Sequence, residues 1–417
     1  MLSAFCLSVL ITSVIATLQS THDSPNRRPP FTLAPFHTLQ TEQPDKVVNN
    51  SYIIVLKDDL PTSAVDNHFN FLQAIHEEDP LIADGPVGIS HVYNSYLTGY
   101  AGRFTEAVFQ RIREMPEVSF VEQDSIVQQI REMPEVSFVE QDSLVHTLAT
   151  QSSAPWVHVP PLFSRDLRLT VSQGLARISH RETLSPDTYS VYEYDPSGGE
   201  GVDAYIIDTG ININHTEFEG RASWGITIPK NDVDDDLDGH GTHCAGIVGS
   251  RKYGVAKAVN LIAVKVLGPH ASGPLSDVIA GVFWAAEQAA AKLAAAKAEY
   301  AATGRTNHKG SVVNMPLGGG KSLALDTSVN RAVDSGLLFA VPAGTGTGDA
   351  CNSSPAGAEK AVTAGASNIL DEMCVWSGWG QCVDVSAPGE YNHSLSQNPF
   401  SDPSLHRSRH SLHLYRK

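Results

Sequence analysis

Two short segments of this chain carry side chains that could perform acyl transfer. Tyr205-Ile206-Ile207-Asp208-Thr209-Gly210 ends an apolar, β-branched run in a carboxylate, and Asp238-Gly239-His240-Gly241-Thr242-His243-Cys244-Ala245-Gly246 sets an imidazole among small residues. A hydroxyl is a weak nucleophile until an imidazole takes its proton, and the imidazole needs a buried carboxylate to hold its tautomer and stabilise its cation. Asp208 suits the carboxylate role and His240 the base role. A buried strand ending at Asp208 would place it where open parallel sheets form their crevice, and the glycines beside His240 allow close backbone approach.

Two metal readings compete with this one. Asp234-x-Asp236-x-Asp238-Gly239 imitates the start of an EF-hand loop, but Ala245 stands where the bidentate Glu should be, so that loop is rejected. His240 and His243 could be ligands of a metallohydrolase, but no H-E-x-x-H pattern is present and His243 is more simply structural.

The elements that would position these residues can be read from periodicity. From Gly201 onward short β-branched runs alternate with helical stretches, which predicts a doubly wound parallel sheet. The expected strands are Val202–Ile207, Leu261–Val266, Ser311–Asn314, Leu337–Val341 and Ala361–Ala366, with a long Ala-rich helix capped at Ser276 or Asp277 and ended by Gly304. Upstream lies a smaller α+β unit: strand Ser51–Leu56, helix Thr62–Glu77, strand His91–Tyr96, helix Thr105–Arg113 and strand Val118–Val127.

The remainder of the chain bounds its class. Its 417 residues suffice for two packed domains, and a net charge of -17 argues against nucleic-acid or anionic-membrane partners, which need a basic surface. Residues 1–18 read as a signal peptide, with a cut after Ala16, and residues 19–50 as a flexible lead rich in Pro, Thr, Asn and Gln. After signal removal no membrane association is expected. Cys244, Cys351, Cys374 and Cys382 then remain; a disulfide among the last three is allowed, and spacing does not choose the pair. Sequons at Asn49, Asn214, Asn352 and Asn392 fit a secretory route. Ile112–Ser125 returns unchanged as Ile130–Ser143, one helix end and one strand copied once, which marks a duplication or gene-structure error and not a repeat fold.

The segments IIDTG, INHTEFEGRASWG, DGHGTHCAG, YGVAK, AVKVLG, SDVIAGV, NMPLGGGKS, DACNSSPA and CVDVSAPG resemble the subtilisin family, in particular its proteinase K and vacuolar proteinase B (cerevisin) branch, over Gly174 to Gly389. The resemblance implies a subtilisin-like doubly wound parallel sheet, incomplete at its C-terminal side. Before it would stand a small ferredoxin-like inhibitory propeptide, residues 51–145, that aids folding and blocks the cleft until cleaved. Residues 146–173 would be a linker with an anomalous insert, 174–389 the peptidase domain, and 390–417 a tail foreign to the family. Cys244 is similar to the free thiol beside the catalytic His of such enzymes, and is equally well read as a small buried hydrophobe. By resemblance, Ala271-Ser272-Gly273 and Pro316-Leu317-Gly318-Gly319 form the two edges that hold an extended substrate, and Asp384 stands where proteinase K relatives bind calcium. No other cofactor is required.

Three departures stand out. After Gly389 the family continues to a G-T-S-M-A-x-P segment carrying the nucleophile, whereas Glu390–Lys417 contains no serine after Gly-Thr. Pro342-Ala343-Gly344-Thr345 replaces an A-A-G-N turn whose Asn is the oxyanion donor, and Thr345 is shorter. Val157–Gln173 interrupts a stretch contiguous in relatives, between Trp156 and Gly174. Val codons begin with GT, Gln can be CAG, and Gly389-Glu390-Tyr391 can encode a donor site, so unspliced introns account for both breaks. The expectation is a secretory-pathway precursor, vacuolar or extracellular, of a serine endopeptidase acting on proteins or peptides. Its propeptide is its intramolecular inhibitor, and the chain is inactive as encoded. The alternative is a non-catalytic binding protein or protease inhibitor acting through the propeptide-like domain.

Overall fold

Alternation along Ser51–Leu56 produces a strand buried on both faces. The computed structural model describes residues 33–38, 47–78, 88–128, 173–185, 187–189, 191–345 and 347–389. The description of the fold concerns Ala34 onward. The expected signal peptide, the second copy Ile130–Ser143, nearly all of the insert and the tail after Gly389 lie outside the described residues.

The N-terminal unit comprises β1 (Phe36–His37), β2 (Val47–Leu56), α1 (Thr62–Glu78), β3 (Gly88–Tyr93), β4 (Gly99–Arg103), α2 (Glu106–Arg113) and β5 (Val118–Gln128). The sheet order is β1-β5-β2-β4-β3, with β2 antiparallel to both β4 and β5. Omitting β1, this is the split βαβ arrangement of a ferredoxin-like unit. On one face Tyr52, Ile54 and Leu56 pack with Leu72 of α1 and Val108, Phe109 and Ile112 of α2. On the other, Ile53, Val55, Tyr93 and Ala101 join the core of the larger unit. The sheet is therefore closed over by its own helices on one side and by the neighbouring unit on the other.

Two expectations are corrected here. Phe36–His37 and Val47–Asn50 belong to the sheet, although the composition of 19–50 suggests a flexible lead. The strand expected over His91–Tyr96 is β3, which starts earlier and ends at Tyr93, and β4, beginning at Gly99, is a further, unexpected strand.

The larger unit comprises α3 (Gln173–Ser179), β6 (Val202–Asp208), β7 (Ala222–Thr227), α4 (His240–Gly249), β8 (Asn260–Lys265), β9 (Ser272–Pro274) and α5 (Leu275–Thr303). It continues with β10 (Gly310–Asn314), β11 (Gly319–Gly320), α6 (Leu323–Asp334), β12 (Leu338–Pro342), β13 (Ser353–Ser354), β14 (Val362–Ser367) and β15 (Val385–Pro388). Seven of these strands form one parallel sheet, ordered β15-β14-β12-β10-β6-β8-β7. Central β6 is buried along nearly its whole length, as parallel strands covered on both faces must be. Ala204 and Ile206 face Ala245 of α4, while Tyr205 and Ile207 face Val278, Ile279 and Val282 of α5. The α/β doubly wound expectation is met, and all five expected strands are present within a residue of their bounds.

Helix α5 begins at Leu275, after Pro274, so neither Ser276 nor Asp277 is its cap residue; Gly304 ends it in the left-handed conformation at φ 71°. By length and composition α5 could cross a membrane, but its first four turns form the core under the sheet. Cys351 and Cys382 form a disulfide, and the Cys244 thiol is outside it.

Candidate active site

The sheet reverses its winding beside β6, which has β8 on one side and β10 on the other, and ligand crevices form outside the carboxyl ends of strands at such a point. Asp208 closes β6 and is fully buried. Its Oδ1 accepts from the Thr209 amide at 2.6 Å. The His240 Nδ1 lies 2.7 Å from Oδ2 and 2.9 Å from Oδ1. An ionised carboxylate can only accept, so Nδ1 carries a proton, and in the neutral ring Nε2 is left as the acceptor, the tautomer a general base requires. The His240 side chain keeps 28% of its surface exposed and can meet a substrate.

Local sequence explains this placement. Gly239 precedes α4 at φ 102°, so His240 is the first residue of the helix. A Cβ on Gly241 would meet the carbonyl oxygen of Gly210 at 2.0 Å, so only glycine lets the helix start press against the loop after Asp208. Burial works against the imidazolium, but the Asp208 carboxylate and the Cys244 sulfur outweigh it and hold the His240 pKa well above 6.5. The Cys244 sulfur lies 3.7 Å from Nε2. Burial pushes this thiol up, yet the positive His240 ring and hydrogen bonds from both histidines leave it below the usual thiol value. Asp208, His240 and Cys244 bring donor atoms within 4.8 Å of one another. The Asp208 oxygens in this trio are already engaged, accepting from Nδ1 and from the Thr209 amide. Among the described residues the ring's hydrogen-bond partners are Asp208 and Cys244, and no serine hydroxyl is among them.

The expected substrate edges are partly assembled. Ser272–Pro274 forms β9, which pairs antiparallel with Ile126–Gln128 at the end of β5, so the N-terminal unit lays its last strand along this edge. Ala271 has φ 55° in a buried position, which explains why a glycine suits that turn. On the opposite side Leu317 is buried in the core, and Gly319 of β11 pairs with Ser354; β11 packs beside β5. Pro316 and Gly318 are half-buried. Thr345 stands on the loop after β12, at the same end of the sheet as Asp208 and two strands away. Asp384 is exposed, and its Oδ2 accepts from the Thr363 amide. With one oxygen so engaged and no carboxylate partner grouped with it among the described residues, its side chain supplies little of the six to eight oxygens calcium takes.

Sequence reasoning missed the residues that join the two units. Asp124 on β5 accepts from the Ser276 amide at 3.2 Å and from the hydroxyls of Ser276 and Ser51 at 2.8 Å, supplying a carboxylate to the start of α5. Glu122 accepts from the Ala324 amide at the start of α6 at 3.1 Å. Each carboxylate therefore meets the positive end of a helix. Burial raises both: Glu122 to about 7, against hydrogen bonds from Ser322, Ala324 and Leu323, and Asp124 also upward, against Ser276, Ser51 and Ser125. His91 pairs with Asp277 at 2.7 Å, and Arg331 of α6 binds Asp58.

Comparison with known proteins agrees with this geometry. Residues 199–415 match the subtilase family, and residues 51–129 match the peptidase inhibitor I9 family. The subtilisin-like serine protease Pen c 2 of Penicillium citrinum is 45% identical over 82% of this chain and 70% of its own length. The subtilisin-like proteinase Spm1 of Pyricularia oryzae is also 45% identical, over 82% of this chain and 62% of its own length. This chain thus spans about two thirds of these relatives. A solved structure of a cold-adapted subtilisin-like serine proteinase shares 42% identity, covers 54% of this chain and 76% of that one, and has a TM-score of 0.47. With the carboxylate at the end of β6, the imidazole at the start of α4 and an inhibitor-type unit against β9, the chain belongs to the subtilase family and carries an I9 propeptide.

Proposed function

We propose that this chain is the precursor of a subtilisin-type serine endopeptidase whose carboxylate and base are in place, but which carries no nucleophile for them within its 417 residues and is inactive as encoded. The observation that carries the reading is the Asp208–His240 pair at 2.7 Å beside an edge strand already engaged by the propeptide. With a serine presented at Nε2, His240 would take its proton while Asp208 held the imidazolium, and an extended peptide would replace Ile126–Gln128 along β9. The tail contains serines, but none follows Gly-Thr in the sequence. In subtilisin, loss of the nucleophile alone costs about 10⁶ in kcat. Thr345 in the oxyanion position would cost a further factor of about 10² to 10³.

The substrates of the active form are proteins and peptides held in extended conformation. The route is secretory, ending in a vacuole or outside the cell. No cofactor enters the chemistry, and any calcium at Asp384 is structural.

The test has two arms. The full chain is offered a peptide ester, and a fusion in which the Pen c 2 segment following the equivalent of Gly389 replaces the tail is offered the same substrate. Turnover by the fusion and none by the chain is expected. Turnover by the chain itself refutes the missing nucleophile, and an inert, folded fusion refutes the intact Asp–His half. A second reading, a protease inhibitor acting in trans, is favoured by the carboxylates of Glu122 and Asp124 on two helix starts. Absence of inhibition when micromolar chain is added to an active subtilase rejects it.

A further inference from the structure

Asp234-x-Asp236-x-Asp238 fails as a calcium loop, yet its middle member is 3% exposed and fully engaged. Asp236 Oδ1 accepts from the Thr209 hydroxyl and the Gly239 amide, both at 2.8 Å. Its Oδ2 accepts from the Thr242 amide at 2.8 Å and the Thr242 hydroxyl at 2.5 Å. The two hydroxyls extend the network, Thr209 accepting from the Gly241 amide at 2.9 Å and Thr242 from the Asn212 amide at 2.8 Å.

These contacts fall on two segments only. Thr209 and Asn212 follow Asp208 on the loop leaving β6, whereas Gly239, Gly241 and Thr242 surround His240 at the start of α4. We propose that Asp236 is a positioning residue that sets the separation of Asp208 and His240, by tying the end of β6 to the first turn of α4. The inference rests on the reading of that pair as orienter and base, and assigns Asp236 a role through them. A buried carboxylate with charge-assisted hydrogen bonds on both oxygens is a stiff link, and a shift of about 1 Å in such a pair is catalytically costly.

Lys265 supplies a second, independent tie. Fully buried, its Nζ donates to the backbone oxygens of Thr209 and Asp235 at 3.0 Å, with Asp232 at 3.4 Å. The same two segments therefore stay adjacent when Asp236 is altered, so loosening of the pair can be separated from loss of the fold.

The experiment is proton and carbon NMR of histidine-labelled full-length chain, following the His240 ring against pH and the far-downfield Nδ1 proton of the Asp208–His240 hydrogen bond. In D236N the amide nitrogen must face a donor, and the His240 midpoint is expected to fall by about one pH unit as Asp208 moves away, with the downfield proton weakened. T242V, which deletes the hydroxyl that donates to Asp236 and accepts from the Asn212 amide, should shift the midpoint in the same direction, while T242S should match the unaltered chain. A purely structural role would lower Tm in D236N and T242V and leave the titration of the folded protein in place, and that result overturns the proposal. If D236N does not fold, the T242V and T242S pair decides by the same criterion. An ordinary His240 midpoint in the unaltered chain would remove the orienter-and-base reading together with this inference. A raised midpoint that the variants leave unmoved removes the inference alone.

Discussion

Replacing Glu122 with Gln should strengthen propeptide docking at alkaline pH and flatten its pH dependence. Glu122 is 1% exposed, its Oε1 has no hydrogen-bond partner among the described residues, and its pKa stands at about 7 in the docked state against 4.5 in the open. A group raised on docking contributes fully below its free value and loses that contribution as pH rises through the docked one. A rise of this size corresponds to about 3 kcal/mol, or about two orders of magnitude in the docking equilibrium. Gln presents the same amide-accepting oxygen to Ala324 without a charge to desolvate. The assay is hydrogen exchange of the β5 amides, Val118–Gln128, in the full chain between pH 5 and 8.5, corrected for intrinsic rates. In the unaltered chain protection should fall by about 100-fold over that range. In E122Q most of the fall should vanish, and what remains, from Asp124 raised in the same sense, should vanish in E122Q/D124N. Equal pH profiles for E122Q and the unaltered chain would refute the reasoning.

Other perturbations have equally definite outcomes. D208N removes the carboxylate that keeps His240 charged; the stability lost should be greatest below pH 6.5, where the free imidazole is protonated, and should shrink as pH rises through the raised native value, read from urea midpoints. A271G relieves a buried left-handed alanine at φ 55° and should raise stability by about 0.5–1 kcal/mol, and a lower urea midpoint would contradict the strain argument. C351S/C382S opens a loop whose ends are 31 residues apart and should cost about 3–4 kcal/mol by loop entropy. An unchanged urea midpoint would contradict it.

Much of the larger unit is legible because its strands are buried on both faces. Such strands read as continuous apolar runs, and Val202–Asp208 announces both itself and the carboxylate at its end. Strand β4 has no such signature: Gly99-Tyr100-Ala101-Gly102-Arg103 contains two glycines, and a Cβ at Gly99 would meet the Ile54 carbonyl oxygen at 2.2 Å. Helix α6 carried a usable signal in the Ser322 cap, whose Oγ accepts from Leu325. The start of α5 did not, since Asp124, which binds its Ser276, lies far away in sequence. Asp236 is a third kind of case. Its spacing attracts a calcium reading, while its partners Thr209 and Thr242 belong to segments that meet only after β6 and α4 are placed.

In the proposed reading the poised Asp208–His240 pair has no hydroxyl to activate. The direct measurement treats the purified full-length chain with an active-site fluorophosphonate at pH 8.5, where ionised Glu122 leaves propeptide docking weakest, and weighs the product by intact mass spectrometry. No adduct is predicted, under conditions in which the Pen c 2 fusion acquires one per chain. Stoichiometric labelling of the unaltered chain would locate a nucleophile and contradict the claim.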